Sequence, residues 1–266
     1  MQIDLNSDVG ESFGAWTMGA DADVMRSITS ANIACGYHAG DPGVMRQTVR
    51  LAKMSSVAVG AHPGFQDLVG FGRRELRMSA GDVEDMVIYQ VGALSAIAAA
   101  EDVRVVHVKP HGALYNMAVR DRGLADAIAR AVAAVDRTLV LFGLPNSEIL
   151  ESGRREGLTV AAEGFADRAY EPDGSLSARS LPGAVIHDPE HVLQRALRMI
   201  TEGRVTARDG SELQFHVDTL CTHGDTPGAG NLTKLLREGL EREGVAVRAI
   251  SHLRQGPGGQ AGDAQS

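Results

Sequence analysis

The segment HVKPH, from His107 to His111, sets two imidazoles and an ammonium at alternate positions, with Val106 ahead of His107 and Val108 between His107 and Lys109. Residues two apart in a strand share a face, so His107, Lys109 and His111 point one way and the valines the other. The alternation recurs. Asp4, Asn6 and Asp8 share a face opposite Ile3 and Leu5; Asn32, Ala34, Gly36 and His38 line up in a second segment, and Ala58, Gly60 and His62 in a third. A purely structural interior would use Val, Ile and Leu. Carboxylate, amide, imidazole and ammonium groups buried without partners would cost several kcal/mol each, so they must bond one another, bind water or hold a ligand. Each alone reads equally well as a hydrogen-bonded interior residue. Together they are groups that move protons near neutral pH and stabilise developing charge.

Short Val- and Ile-rich runs alternate with longer segments of helical period, the pattern of repeated βα units around a parallel sheet. Strands are expected near residues 2–6, 31–35, 57–62, 104–109, 138–143, 158–163 and 217–222. Helix starts are marked by Asp41 with Pro42, Ser79 with Asp82, Asn146, and Asp188 with Pro189. From Asp82 to Ala100 one stripe carries Val83, Met86, Val87, Val91, Leu94 and Ile97, which should pack on the outside of the sheet. A further strand over Val245 to Ile250 would either close the ring or cover one end of it. If the polar faces point to the axis, their groups converge where barrel enzymes assemble their sites, at the C-terminal ends of the strands.

The 266 residues suit one barrel domain, 1–254, followed by a mobile tail over 255–266, QGPGGQAGDAQS, which has no apolar residues to offset its ordering entropy. The net charge is −8 and no basic run could neutralise a row of phosphates, which argues against nucleic acid. With no signal-like N-terminus and no window near the roughly 20 apolar residues of a membrane span, the expected location is the cytoplasm. The two cysteines, Cys35 and Cys221, read as buried free thiols. His187 and His191 form H-x-x-x-H, a metal-ligand spacing on a helix, but the adjoining Asp-Pro is an ordinary helix entry.

In order, the chain carries DLNSDVGE (4–11), NIACGYHAGD (32–41), VGAHPGF (59–65), GFGRRE (70–75), HVKPHGALYN (107–116), EGFADRAY (163–170) and HGD (223–225). This ordered set resembles the LamB/YcsF family, the A subunits of bacterial 5-oxoprolinase, from about residue 2 to 252. The resemblance implies an α/β fold, a (β/α)7 TIM-like barrel of the glycoside hydrolase and deacetylase type. It also implies hydrolysis of 5-oxo-L-proline to L-glutamate coupled to conversion of ATP to ADP and phosphate, with Mg2+ accompanying ATP and with B and C subunits as partners.

On that reading a general base is sought in His62 or His111, oriented by Asp8 or a neighbouring carboxylate, while Lys109 and His223 could stabilise oxyanion or phosphoryl charge. The substrate carboxylate calls for an arginine clamp, Arg73 or Arg168, with Arg74 left to solvent. Glu11, Asn32, His38, Glu163 and Tyr170 lie in the same motifs and are assigned with them to substrate binding. No P-loop sequence occurs, so ATP could be bound by partner subunits; HGDTPGAGN (223–231) could instead present amides to a phosphate at a helix start. Two other functions fit the residues. A metal-dependent, deacetylase-like hydrolase would hold Zn2+ on Asp8, His38, His62 or His111. A noncatalytic subunit would capture 5-oxoproline and pass it on.

Overall fold

The computed structural model describes residues 1–222 and 229–250. The parallel strands are β1 (Gln2–Val9), β2 (Ser30–Ala34), β3 (Ala58–His62), β4 (Val105–Val108), β5 (Val140–Gly143) and β6 (Thr159–Phe165). A small antiparallel pair follows, β7 (Arg204–Thr206) with β8 (Glu212–Gln214), and then β9 (Thr219–Thr222). β1 pairs with β2 on one side and with β9 on the other, Asp4 opposite Thr219 and Asn6 opposite Cys221, so seven strands close into a ring. The expected TIM-like (β/α) barrel is therefore the fold.

The candidate strand near residue 245 takes the second of its two expected roles. Among the described residues β10 (Ala246–Val247) pairs with Gln2 and Ile3, at the start of β1 and beside a ring already closed by β9. Beyond it Ile250 clusters with Val140, Phe142 and Ala161 and its backbone bonds to Asp4, covering the end where the strands begin.

The helices are α1 (Asp21–Val24), α2 (Pro42–Met54), α3 (Ala80–Ala99), α4 (Gly112–Ala118), α5 (Arg122–Val135), α6 (Glu148–Arg155), α7 (Pro189–Glu202) and α8 (Ala229–Arg242). Three of the expected caps are present: Asp41 accepts from the amides of Gly43 and Val44, Ser79 from Asp82, and Asp188 from Glu190. The fourth is displaced by one residue. Asn146 adopts φ +59°, a left-handed conformation that asparagine tolerates well, and Ser147 occupies the cap position of α6. On α3, Val83, Met86, Val87, Val91 and Leu94 are buried against the barrel, each contributing about 1.5–3 kcal/mol of apolar burial.

His187 precedes Pro189, the first residue of α7, so the H-x-x-x-H spacing does not lie on one helical face, and both rings are exposed. Cys35 and Cys221 are buried and unbridged. Among the described residues no helix is long and apolar enough to cross a membrane. His223, most of the 223–231 glycine-rich segment and the expected tail lie outside the described residues.

Candidate active site

The barrel axis is polar from bottom to top. At the strand starts Asp4 accepts from the hydroxyls of Thr29 (2.8 Å), Ser30 (2.6 Å) and Thr219. One layer up, Asn6 donates to Thr219 Oγ1 (2.8 Å), Asn32 donates to Asn6 Oδ1 (2.8 Å) and to Asp8 Oδ1 (2.9 Å), and His107 Nε2 meets Asn32 Oδ1 at 2.8 Å. The His107 ring lies flat on Phe142, centroids 4.4 Å apart. It crosses the axis at Gly60, where an added Cβ would stand 2.0 Å from Nε2, so β3 needs a glycine there. Burial, together with the charge on Lys109, depresses the His107 imidazole to about 3, and it is neutral. This layer supports the site above it and does not reach the cavity.

At the upper mouth a cavity of about 230 Å³ opens, lined by Asp8, His62, Lys109, His111, Arg73 and Arg168 among others. It is smaller than the roughly 300–1,000 Å³ of sites for drug-sized molecules and suits a compact ligand. Lys109, just past β4, is buried with its Nζ 2.9 Å from Asp8 Oδ1, 2.8 Å from Glu163 Oε1 and 3.1 Å from Cys221 Sγ. Burial opposes its charge, but Asp8, Cys221 and Glu163 outweigh burial and hold the ammonium well above its usual value. Tyr115 of α4 donates to the other oxygen of Glu163 at 2.9 Å. Lys109 is thus a fixed positive charge between two carboxylates.

Beside it stand three histidines. His62 Nε2 is 3.3 Å from Asp8 Oδ2 and 3.0 Å from His111 Nδ1. His38 stacks on His111 at 3.7 Å with 1° between the rings, and its Nε2 is 3.6 Å from Glu11 Oε1. Burial, and the neighbouring histidines after it, hold His38 and His111 well below the usual imidazole value. Glycines make the crowding feasible: a Cβ on Gly64 would stand 2.8 Å from His38 Nδ1, and one on Gly72 2.8 Å from His38 Cβ.

Reading His38 as a continuation of the β2 face needs correction. β2 stops at Ala34, and Gly36 at φ +97° turns the chain, so a loop delivers the imidazole. His111 is likewise beyond β4, at the N-terminus of α4 after Pro110.

Arg168, which also lines the cavity, is buried, with Nη2 2.6 Å from the Ser177 carbonyl and Nε 3.3 Å from that of Ala184. Burial first, then Arg179 and Arg73 nearby, pull its guanidinium down to about 10. Arg73 lies over the Phe71 ring at 5.0 Å. Arg74 points away, ion-paired to Asp67 and largely exposed. This wall offers several guanidiniums to an anion.

Of the residues selected from sequence, the structure brings Asp8, Glu11, His38, His62, Lys109, His111 and Glu163 into one cluster, and Arg73 and Arg168 line the same cavity. Asn32 belongs to the supporting layer, and the Tyr170 hydroxyl is taken up by the Phe165 amide (2.8 Å). Asn6 and His107, placed on the interior face by strand alternation, have no catalytic or binding role assigned from sequence, and neither do Tyr115, Cys221 and Arg179.

Residues 3–255 match the LamB/YcsF family. Proteins named as the A subunit of 5-oxoprolinase are 52% identical in Tolumonas auensis, over 94% of this chain and 99% of that one, and 51% identical in Pyrococcus furiosus, over 93% and 97%. A crystal structure of a lactam utilization protein from Thermus thermophilus superposes with a TM-score of 0.89 at 52% identity, covering 94% of this chain and all of the other. At 11% identity, a putative cellobiose-phosphate cleavage protein from Enterococcus faecalis, matched over 95% of this chain and 98% of its own, shares the fold with a TM-score of 0.53. A match of this length, on a barrel whose polar groups meet at one mouth, has one meaning: the chain belongs to the LamB/YcsF family.

Proposed function

We propose that this chain is the A subunit of a cytoplasmic, ATP-dependent 5-oxoprolinase that opens 5-oxo-L-proline to L-glutamate together with B and C subunits. The observation that carries the proposal is that one small cavity is lined both by arginines, Arg73 and Arg168, and by a proton-transfer cluster. A five-membered lactam bearing a carboxylate has the matching polarity: Arg168 and Arg73 take the carboxylate, and the amide faces Asp8, His62, Lys109 and His111. The names of the 5-oxoprolinase relatives and of the Thermus lactam utilization protein support the substrate class.

An unstrained lactam is a poor electrophile. Transfer of the γ-phosphoryl group of Mg-ATP to the amide oxygen releases ADP and makes the carbon more electrophilic. Water then adds to that carbon, its proton accepted by the His62–His111 pair beside Asp8, and the C–N bond breaks as the ring nitrogen gains a proton. The hydroxyl that water brought collapses to a carbonyl, giving γ-glutamyl phosphate, and a second water hydrolyses that acyl phosphate to glutamate and phosphate. Lys109 lies where its charge stabilises oxygen as negative charge builds.

The test is release of glutamate from 5-oxoproline and Mg-ATP, measured with this chain alone and with its candidate partner subunits. Turnover in the complete mixture, abolished by His111→Ala in a chain that retains its fold, is the expected result. Hydrolysis of acetylated sugars without ATP, and no glutamate in any mixture, would overturn the proposal.

A further inference from the structure

His62 Nδ1 is 2.7 Å from the Lys109 carbonyl, and His111 Nε2 is 2.8 Å from the Phe71 carbonyl. A carbonyl only accepts, so each of these nitrogens carries the ring proton. In the neutral rings the lone pairs then fall on His62 Nε2 and His111 Nδ1, which face each other at 3.0 Å. Two lone pairs at that distance repel unless something positive lies against both.

Two further donors meet the same point. Glu11 Oε1 is 3.7 Å from His111 Nδ1 and 3.6 Å from His38 Nε2, and the ligating atoms of all four residues lie within 4.8 Å of one another. His38 is fully buried and neither of its ring nitrogens has a hydrogen-bond partner. A proton shared by His62 and His111 would settle their contact and leave His38 as it stands; a larger cation can serve all of them.

We infer that Glu11, His38, His62 and His111 form a binding site for one divalent transition-metal ion of the Zn2+ class. Donors about 2.1 Å from a tetrahedral ion stand about 3.4 Å apart, and the separations of 3.0, 3.6 and 3.7 Å bracket that value. Three imidazoles and one carboxylate are borderline-soft ligands suited to Zn2+ and poorly suited to Mg2+, which prefers six oxygens. The carbonyls of Lys109 and Phe71 supply the outer hydrogen bonds that metal-binding histidines use to fix their tautomers. His62 and His111 meet at 89°, so their lone pairs can address a common point; His38, parallel to His111, reaches it by turning its ring out of the stack.

The site deepens the proposed lactam chemistry and rests on that reading for its role in turnover. His62 and His111 line the cavity, so an ion bound to them borders it; with their lone pairs on the ion they no longer take the proton of the attacking water, which the metal would activate and Asp8 would deprotonate in their place.

The experiment uses the full chain, stripped with chelator and titrated with Zn2+ alone by calorimetry, with metal content checked by elemental analysis. One ion per chain is expected, weakened at least about 100-fold by His111→Ala and about 10–100-fold by Glu11→Gln, which keeps the size of the side chain. No uptake at micromolar Zn2+, or uptake unchanged in both variants of verified fold, overturns the site. Because neither lactam nor ATP is present, the result is separate from the proposed function: glutamate release by a metal-free chain would overturn the site's part in turnover and leave that function standing.

Discussion

Asp4 provides a stringent check on how the polar interior is held. Burial raises its carboxyl from 3.8 to about 6, against the lowering effect of bonds from Ser30, Thr219, Thr29 and the Ile250 backbone. Since the folded value lies above the unfolded one, the folded state holds the proton more tightly, and stability falls as pH rises from about 4 to about 6. The linkage penalty is about 1 kcal/mol at pH 4.5 and about 3 kcal/mol at pH 7.5, taking about 1.36 kcal/mol per pKa unit. Asp4→Asn cannot ionise. It loses hydrogen bonds at every pH, but that loss is a constant offset, and other carboxylates cancel between the two proteins. Urea unfolding of both proteins from pH 4.5 to 7.5 should therefore show the variant gaining about 2 kcal/mol relative to the natural chain across the range. A difference independent of pH, or one of opposite slope, would refute the account of Asp4 as a carboxylate made costly by desolvation.

Lys109→Met leaves Asp8 and Glu163 without the ammonium between them, and should lower unfolding free energy by about 3–5 kcal/mol near pH 7.5 in urea titrations; a loss below about 1 kcal/mol would contradict it. Gly60→Ala drives a methyl into the His107 ring and should destabilise by about 1–3 kcal/mol through overpacking, read from the same titrations. Arg168→Met removes the buried guanidinium of the anion wall and should raise the KM for 5-oxoproline about 10–100-fold, the value of a charge-assisted hydrogen bond. Equal KM values would remove Arg168 from the substrate.

Strand alternation made much of the site legible. The faces Asp4/Asn6/Asp8, Gly60/His62 and His107/Lys109 do point inward, because a period of two leaves a buried strand no other assignment once the valines take the helix side. Legibility failed where the chain leaves the strands. His38 and His111 arrive through turns at Gly36 and Pro110, and alternation carries no information past a turn. Arg179 and Tyr115 come from a loop and a helix outside the strand pattern, and only the three-dimensional path shows that they reach Arg168 and Glu163. The β7–β8 pair was not expected, since three-residue strands are too short for a periodic signal. The role of β10 was ambiguous for the same reason.

Because the ring closes by joining β1 to β9, the first strand of the ring must wait for the last. Asp4 and Thr219 are 215 residues apart. At about 5–20 residues per second, a ribosome needs roughly 10–40 s to make the span between them. Throughout that interval one flank of β1 is an open edge of unpaired amides and carbonyls, the kind of surface that recruits stray strands. Asp4, Asn6 and Asp8 on that nascent strand supply the charge and polarity that discourage such encounters, so the residues that later line the interior also guard the chain while it is being made.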